Sequence, residues 1–285
     1  MVPSFALKCL PFLLCVLAVL CVLCVGCSPK PAPKPAAAPV ETPPPIQETV
    51  SYLADDTNVH GYLCRPGGVG RFPAVLLVHD SMGLTGAMKD AAFRLAGQEY
   101  VVLAVDLYRG RVPKDIKDAE RQQSELPKER VLRDLKAAVD YLCERDEVRP
   151  EQVVEKEKLS RVFGVIGLGM GGSYAMEAAL HDSRLRALVL CYCPLPTEAK
   201  KLATLKASVF GIFAGKDKSV SADSISQFTQ AMQKAAKHLY AIRVYGESAH
   251  SFLDPAYWPL YGKPPEENIA EAWELIARFL DRLLV

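Results

Sequence analysis

Little in this chain of 285 residues is extreme: its formal net charge is only +1, it has no basic stripe, and it contains no internal repeat. A surface without a Lys/Arg stripe excludes nucleic acid as a partner. Of its nine cysteines, five lie at or before Cys27, leaving Cys64, Cys143, Cys191 and Cys193 for the folding part. Four in roughly 240 residues fall short of a disulfide scaffold. Cys191 and Cys193 are two apart on a predicted strand, so both side chains should point to one face, a spacing that rarely forms a bridge. No His or second Cys pair stands at a metal-ligand spacing from them, so no metal site is expected.

What is there begins with Lys8, an apolar run from Leu10 to Val25, and then Gly26-Cys27. This is the layout of an export signal over residues 1–26. The end of the run resembles a bacterial lipobox, although Cys24 stands where that motif usually has Leu. The resemblance implies an acylated Cys27 and a protein tied to the bilayer of a bacterial cell envelope, its domain outside the cytoplasm. An uncleaved anchor or an ordinary secreted protein remains open. Residues 27–46 are rich in Pro and Ala, a composition that cannot bury a core and serves as a semi-stiff tether. Residues 47–285 then form one domain.

Within that domain strands and helices alternate. PAVLLVH (73–79), YVVLAVD (100–106) and RVFGVIG (161–167) are continuous apolar runs, the mark of strands buried on both faces. Residues 187–193, 208–214 and 239–245 read as further strands, and 49–54 with 59–64 as an edge hairpin. Helices are predicted over 87–98, 127–145, 171–180, 223–237 and 267–284. The pattern predicts an α/β fold with a doubly wound, mostly parallel sheet and helices on both faces. Ligands bind such sheets at the carboxyl ends of the strands.

The polar residues at those ends are His79, Asp80 and Ser81; Asp106, Tyr108 and Arg109; Cys191 and Cys193; Asp217; and His250. The turn after the third apolar strand carries Gly167-Leu168-Gly169-Met170-Gly171-Gly172. It also fits the dinucleotide fingerprint, but it follows a middle strand and no acidic residue ends the next one. A nucleophile, then Asp217, then His250 is the chain order of an α/β-hydrolase triad.

Here the chain resembles the dienelactone hydrolase family. The likeness is carried by FPAVLLVHDSMGL, LAGQEYVVLAVDLYRG, GLGMGG, GIFAGKDKSV and YGESAHSF, across residues 48–284. It implies the α/β-hydrolase fold and hydrolysis of esters or lactones without a metal or organic cofactor. By position, Asp217 would be the triad acid, His250 the base, and the Met170 N–H half of the oxyanion hole. Asp80 stands where the family has a glutamate. The nucleophile does not carry over, since the centre of the elbow is Gly169.

Glycine offers no atom for an acyl intermediate, and loss of a triad nucleophile costs on the order of 10⁶ in turnover. Glycine also adopts the strained elbow backbone freely. A displaced nucleophile could be Cys191 or Cys193, and less readily Ser81; Ser173, one helical turn on, should point away from His250. A water activated by His250 is a further possibility. Arg109 could pair with a substrate carboxylate, and Tyr108, Phe252, Tyr257 and Trp258 could line the pocket. Two functions are therefore expected in turn: a catalytically impaired protein binding a small ester, lactone, carboxylate or an envelope partner, or an active ester/lactone hydrolase with a displaced nucleophile.

Overall fold

The computed structural model describes residues 43–149 and 161–285; the export signal, Cys27 and most of the tether lie outside the described residues. The apolar runs become the inner strands of one eight-stranded sheet, ordered β1-β2-β4-β3-β5-β6-β7-β8. The strands are β1 (Ile46–Ala54), β2 (Thr57–Arg65), β3 (Ala74–Val78), β4 (Val101–Val105), β5 (Phe163–Leu168), β6 (Leu185–Cys191), β7 (Ser208–Ala214) and β8 (Leu239–Tyr245). Every residue of β3, β4 and β5 is buried, as unalternating Val/Leu/Ile runs require when both faces are covered. From β4 to β8 all neighbours pair parallel, while β1 and β2 form the antiparallel edge hairpin.

Helices cover both faces. Leu76, Val78 and Val165 point into a layer with α3 (Lys128–Cys143), α4 (Met170–His181) and α6 (Ala222–Lys234). Val75, Leu77 and Ile166 point into the opposite layer with α1 (Gly86–Ala96) and α8 (Glu266–Leu284). Side-chain caps fix several helix starts: the Thr85 and Ser221 oxygens accept from the Met88 and Ser224 N–H groups.

Three short helices were not expected from periodicity: α2 (Ile116–Ser124), α5 (Ala199–Leu202) and α7 (Trp258–Tyr261). In α2 only Ala119 and Gln122 are buried, so it has no apolar stripe to read; its start is set by the Asp115 carboxylate accepting from Asp118 N–H at 2.9 Å.

The sheet winds one way from β3 to β4 and the other way from β3 to β5. The carboxyl ends of β3 and β5 therefore flank the switch point, where an open α/β sheet forms its crevice. Asp80 follows β3 and Gly169 follows β5.

Candidate functional site

The turn from β5 into α4 is built by close approach. An added Cβ at Gly171 would overlap the carbonyl oxygens of Val78 and His79, so the helix start lies against the end of β3. Gly169 has φ 50° and ψ −117°, a conformation that costs a non-glycine residue about 1–3 kcal/mol. Its N–H donates to Cys191 O at 2.9 Å, and its own carbonyl accepts from Gly172 N–H at 3.0 Å. The backbone thus keeps the shape of a nucleophile elbow.

The place of the missing side chain is filled. A Cβ added at Gly169 would overlap Cγ and both oxygens of Asp80. Asp80 Oδ1 accepts from Met170 N–H at 3.0 Å and from Ser81 N–H at 2.7 Å. These two amides, one from each side of the switch point, form the anion hole, and the carboxylate of the chain itself sits in it. Asp80 Oδ2 accepts from Ser251 Oγ at 2.7 Å. Ser251 adjoins His250 and has φ 54°, so a strained residue ties the His250 loop to this carboxylate.

Below Asp80, His79 is wholly buried, and burial pushes its imidazole down towards the neutral form. Its Nε2 accepts from Leu107 N–H at 3.1 Å, which leaves the proton on Nδ1 to donate to Asp80 O at 2.7 Å. It therefore fastens the β3 loop to the β4 loop. Tyr108 O–H donates to Ser81 O at 2.9 Å, and the Tyr257 hydroxyl pairs with Ser81 Oγ at 2.7 Å and accepts from Met82 N–H at 3.2 Å. The Ser81 amide is held in place from three directions.

Asp217 and His250, following β7 and β8, come together. His250 Nδ1 lies 2.7 Å from Asp217 Oδ2, while Asp217 Oδ1 accepts from both the N–H (2.7 Å) and Oγ (2.6 Å) of Ser219. Burial opposes charge on His250, but the bond to Asp217 and its charge outweigh that, and the imidazole lies above its ordinary value. Burial likewise opposes ionisation of Asp217, and the His250 and Ser219 bonds outweigh it, holding the carboxyl below its ordinary value. Tyr192, Tyr257 and Tyr261 set their rings edge-on to the imidazole at 5.7, 6.5 and 5.8 Å. An orienting carboxylate behind an imidazole is the arrangement of a general base.

The model of the Dienelactone hydrolase family matches residues 59–284, most of the chain and all of this site. The chain belongs to the dienelactone hydrolase family. It is 28% identical over 254 residues to a Bradyrhizobium protein named "Probable 2-oxo-3-(5-oxofuran-2-ylidene)propanoate lactonase", covering 81% of this chain and 98% of that one. Among solved structures, a dienelactone hydrolase-like promiscuous phosphotriesterase from metagenomic libraries superposes with TM-score 0.72 at 22% identity, covering 85% of this chain and 100% of the other. The dienelactone hydrolase of Anabaena variabilis gives TM-score 0.59 at 18% identity over 85% and 100% of the two chains.

In this member of the dienelactone hydrolase family a cavity of about 600 Å³ opens over the elbow. Asp80, Ser81, Gly169, Met170, Tyr192, Ser219, His250, Tyr257 and Tyr261 line it, as does one side of α2 through Ile116, Glu120, Gln123 and Ser124. Neither Lys nor Arg is among its lining residues. Ser173 lies in the cavity wall, one turn into α4. The α2 wall, Ser219, Tyr192 and Ser251 carried no signal in sequence, because each acts through where a loop places it.

Several expected roles are not the ones the structure gives. Arg109 does not line the cavity; its Nη2 and Nε donate to Asp134 at 2.7 and 3.2 Å, and Asp134 is 1% exposed, so the guanidinium neutralises a buried carboxylate. Cys191 and Cys193 do not share a face. Tyr192 between them has φ 39°, which ends the strand alternation and sends Cys191 into one layer and Cys193 into the other. Both are buried, and neither lines the cavity. Burial raises the Cys191 thiol well above its ordinary value and the Cys193 thiol to about 12, so neither supplies a thiolate at neutral pH. Tyr108 and Phe252 are core, and Trp258 is spent on the Phe252 carbonyl at 3.1 Å.

Proposed function

We propose that this dienelactone hydrolase-family protein has lost acyl transfer through its elbow and keeps the cavity for a small uncharged molecule. The observation that carries this reading is the Asp80 carboxylate in the anion hole, occupying the volume of the absent nucleophile side chain. An ester or lactone carbonyl seeking that hole must displace it. Two hydrogen bonds to a charged acceptor are worth about 3–6 kcal/mol together, roughly 10² to 10⁴ in affinity for the polarised carbonyl. This adds to the loss of the covalent route itself. A carboxylate ligand is disfavoured too, since Asp80 and Glu120 line the cavity and no Lys or Arg is among its described lining residues. The alternative, ester hydrolysis by a displaced thiol or a His250-activated water, would require the same occupied hole.

The test is hydrolysis of p-nitrophenyl acetate by the wild type and His250→Gln. Equal, slow rates support the reading, and fast turnover that depends on His250 overturns it.

For location, we propose lipid anchoring at a bacterial cell envelope through acylated Cys27; the apolar run before it and the Pro/Ala tether after it support this. Labelled fatty acid should enter the wild type and not Cys27→Ser; incorporation into both would refute it.

A further inference from the structure

A pocket that only binds has no need of an oriented base, yet the His250–Asp217 pair is intact and faces the same cavity as Asp80. Building on the loss of acyl transfer, we infer that Asp80 is itself a nucleophile, acting on an sp³ carbon that carries a leaving group, such as an uncharged alkyl halide.

The position of the hole decides which electrophile fits. Were Asp80 to attack an ester carbonyl, the oxyanion would form on the substrate, and the two amides that could hold it are already bonded to Asp80 Oδ1. Attack on sp³ carbon forms no oxyanion. Asp80 Oδ2, which keeps a lone pair beyond the one facing Ser251 Oγ, forms a C–O bond while the carbon–halogen bond breaks. The halide leaves with the bonding pair, and the enzyme is left as an alkyl ester of Asp80. A carboxylate attacks without a general base to activate it, which suits an elbow whose central residue, Gly169, carries neither thiol nor hydroxyl.

The second step uses everything that remains. His250 takes a proton from water, and the hydroxide attacks Cγ of the Asp80 ester. Negative charge now develops on Oδ1, which already accepts from Met170 N–H and Ser81 N–H. The tetrahedral centre collapses: the Cγ–Oδ2 bond breaks and Oδ2 leaves with the alkyl group as the alkoxide. Imidazolium gives that alkoxide its proton, and the acid left on Asp80 releases its own proton to solvent. Asp80 is regenerated with one oxygen from water. The net change is R–X + H₂O → R–OH + H⁺ + X⁻. Glu120 and Asp80 in the lining, with no Lys or Arg, select against anionic substrates.

The probe is 1-bromobutane, with the full chain. Bromide release is expected from the wild type and lost in Asp80→Asn. In His250→Gln the first step proceeds and the second stalls, so intact-mass and peptide analysis should find one butyl group on Asp80. A single turnover of the wild type in H₂¹⁸O should place label in the Asp80 carboxyl rather than in the butanol. No butyl ester in His250→Gln, or label passing directly to butanol, overturns the proposal. The His250 variant keeps the test decisive should Asp80→Asn fail to fold. If bromide release is absent and ester hydrolysis is also slow, the nucleophile inference fails alone. Fast His250-dependent hydrolysis of p-nitrophenyl acetate would instead remove the reading on which it rests.

Discussion

Restoring a nucleophile by Gly169→Ser should destabilise the fold rather than repair the site. The new Cβ would overlap the whole Asp80 carboxylate, so that group must leave. It then loses the Met170 and Ser81 amides and the Ser251 hydroxyl, each a bond to a charged acceptor worth about 1.5–3 kcal/mol. Backbone strain at φ 50° adds about 1–3 kcal/mol. Even with water recovering part of this in the cavity, the single variant should lose about 4 kcal/mol or more. In an Asp80→Ala background the overlap is gone, and only the strain, about 1–3 kcal/mol, remains. Urea unfolding of the wild type, both single variants and the double variant closes the cycle. The expected coupling is at least about 1 kcal/mol, with the double variant more stable than the sum of the singles. Additivity within about 0.5 kcal/mol would refute the claim that Gly169 and Asp80 share one space.

Arg109→Ala should cost about 3 kcal/mol by stranding the buried Asp134 carboxylate, and should leave ligand or probe binding unchanged; a binding loss without a stability loss would return Arg109 to the site. Asp217→Asn should lower the His250 pKa, read by NMR titration, because it removes the bond that outweighs burial. Any step needing neutral His250 is lost as pH falls through the raised wild-type value, so that limb should move to lower pH in the variant. Asp254, raised by burial to about 6, binds its proton more tightly folded than unfolded. Stability should therefore fall as pH rises from about 4 to 6, by up to about 3 kcal/mol, and Asp254→Asn should remove that slope in pH-dependent denaturation.

Much of the architecture was legible because buried parallel strands announce themselves as unbroken apolar runs, as in AVLLV and VVLAV. The order of Gly169, Asp217 and His250 was legible for the same reason: each follows a strand that could be recognised. Other features depend on conformations that sequence spacing does not encode. The period of two placed Cys191 and Cys193 together, and one positive φ at Tyr192 separates them. Arg109 was expected in the pocket because it follows a strand end, yet its partner Asp134 sits on α3, far away in sequence. The polar helix α2 was missed for want of an apolar stripe, although it builds a wall of the cavity. Most consequential is Asp80. Its place in the β3 loop was readable, but its entry into the hole depends on space that Gly169 leaves, which only the packing of two loops reveals.

The most direct test of the central claim is ester turnover in Gly169→Ser/Asp80→Ala, where a nucleophile is supplied and the hole is emptied at once. With p-nitrophenyl acetate, the double variant should exceed both the wild type and Gly169→Ser by at least about tenfold, and the gain should vanish when His250→Gln is added. A wild type that already matches the double variant in a His250-dependent reaction would contradict it.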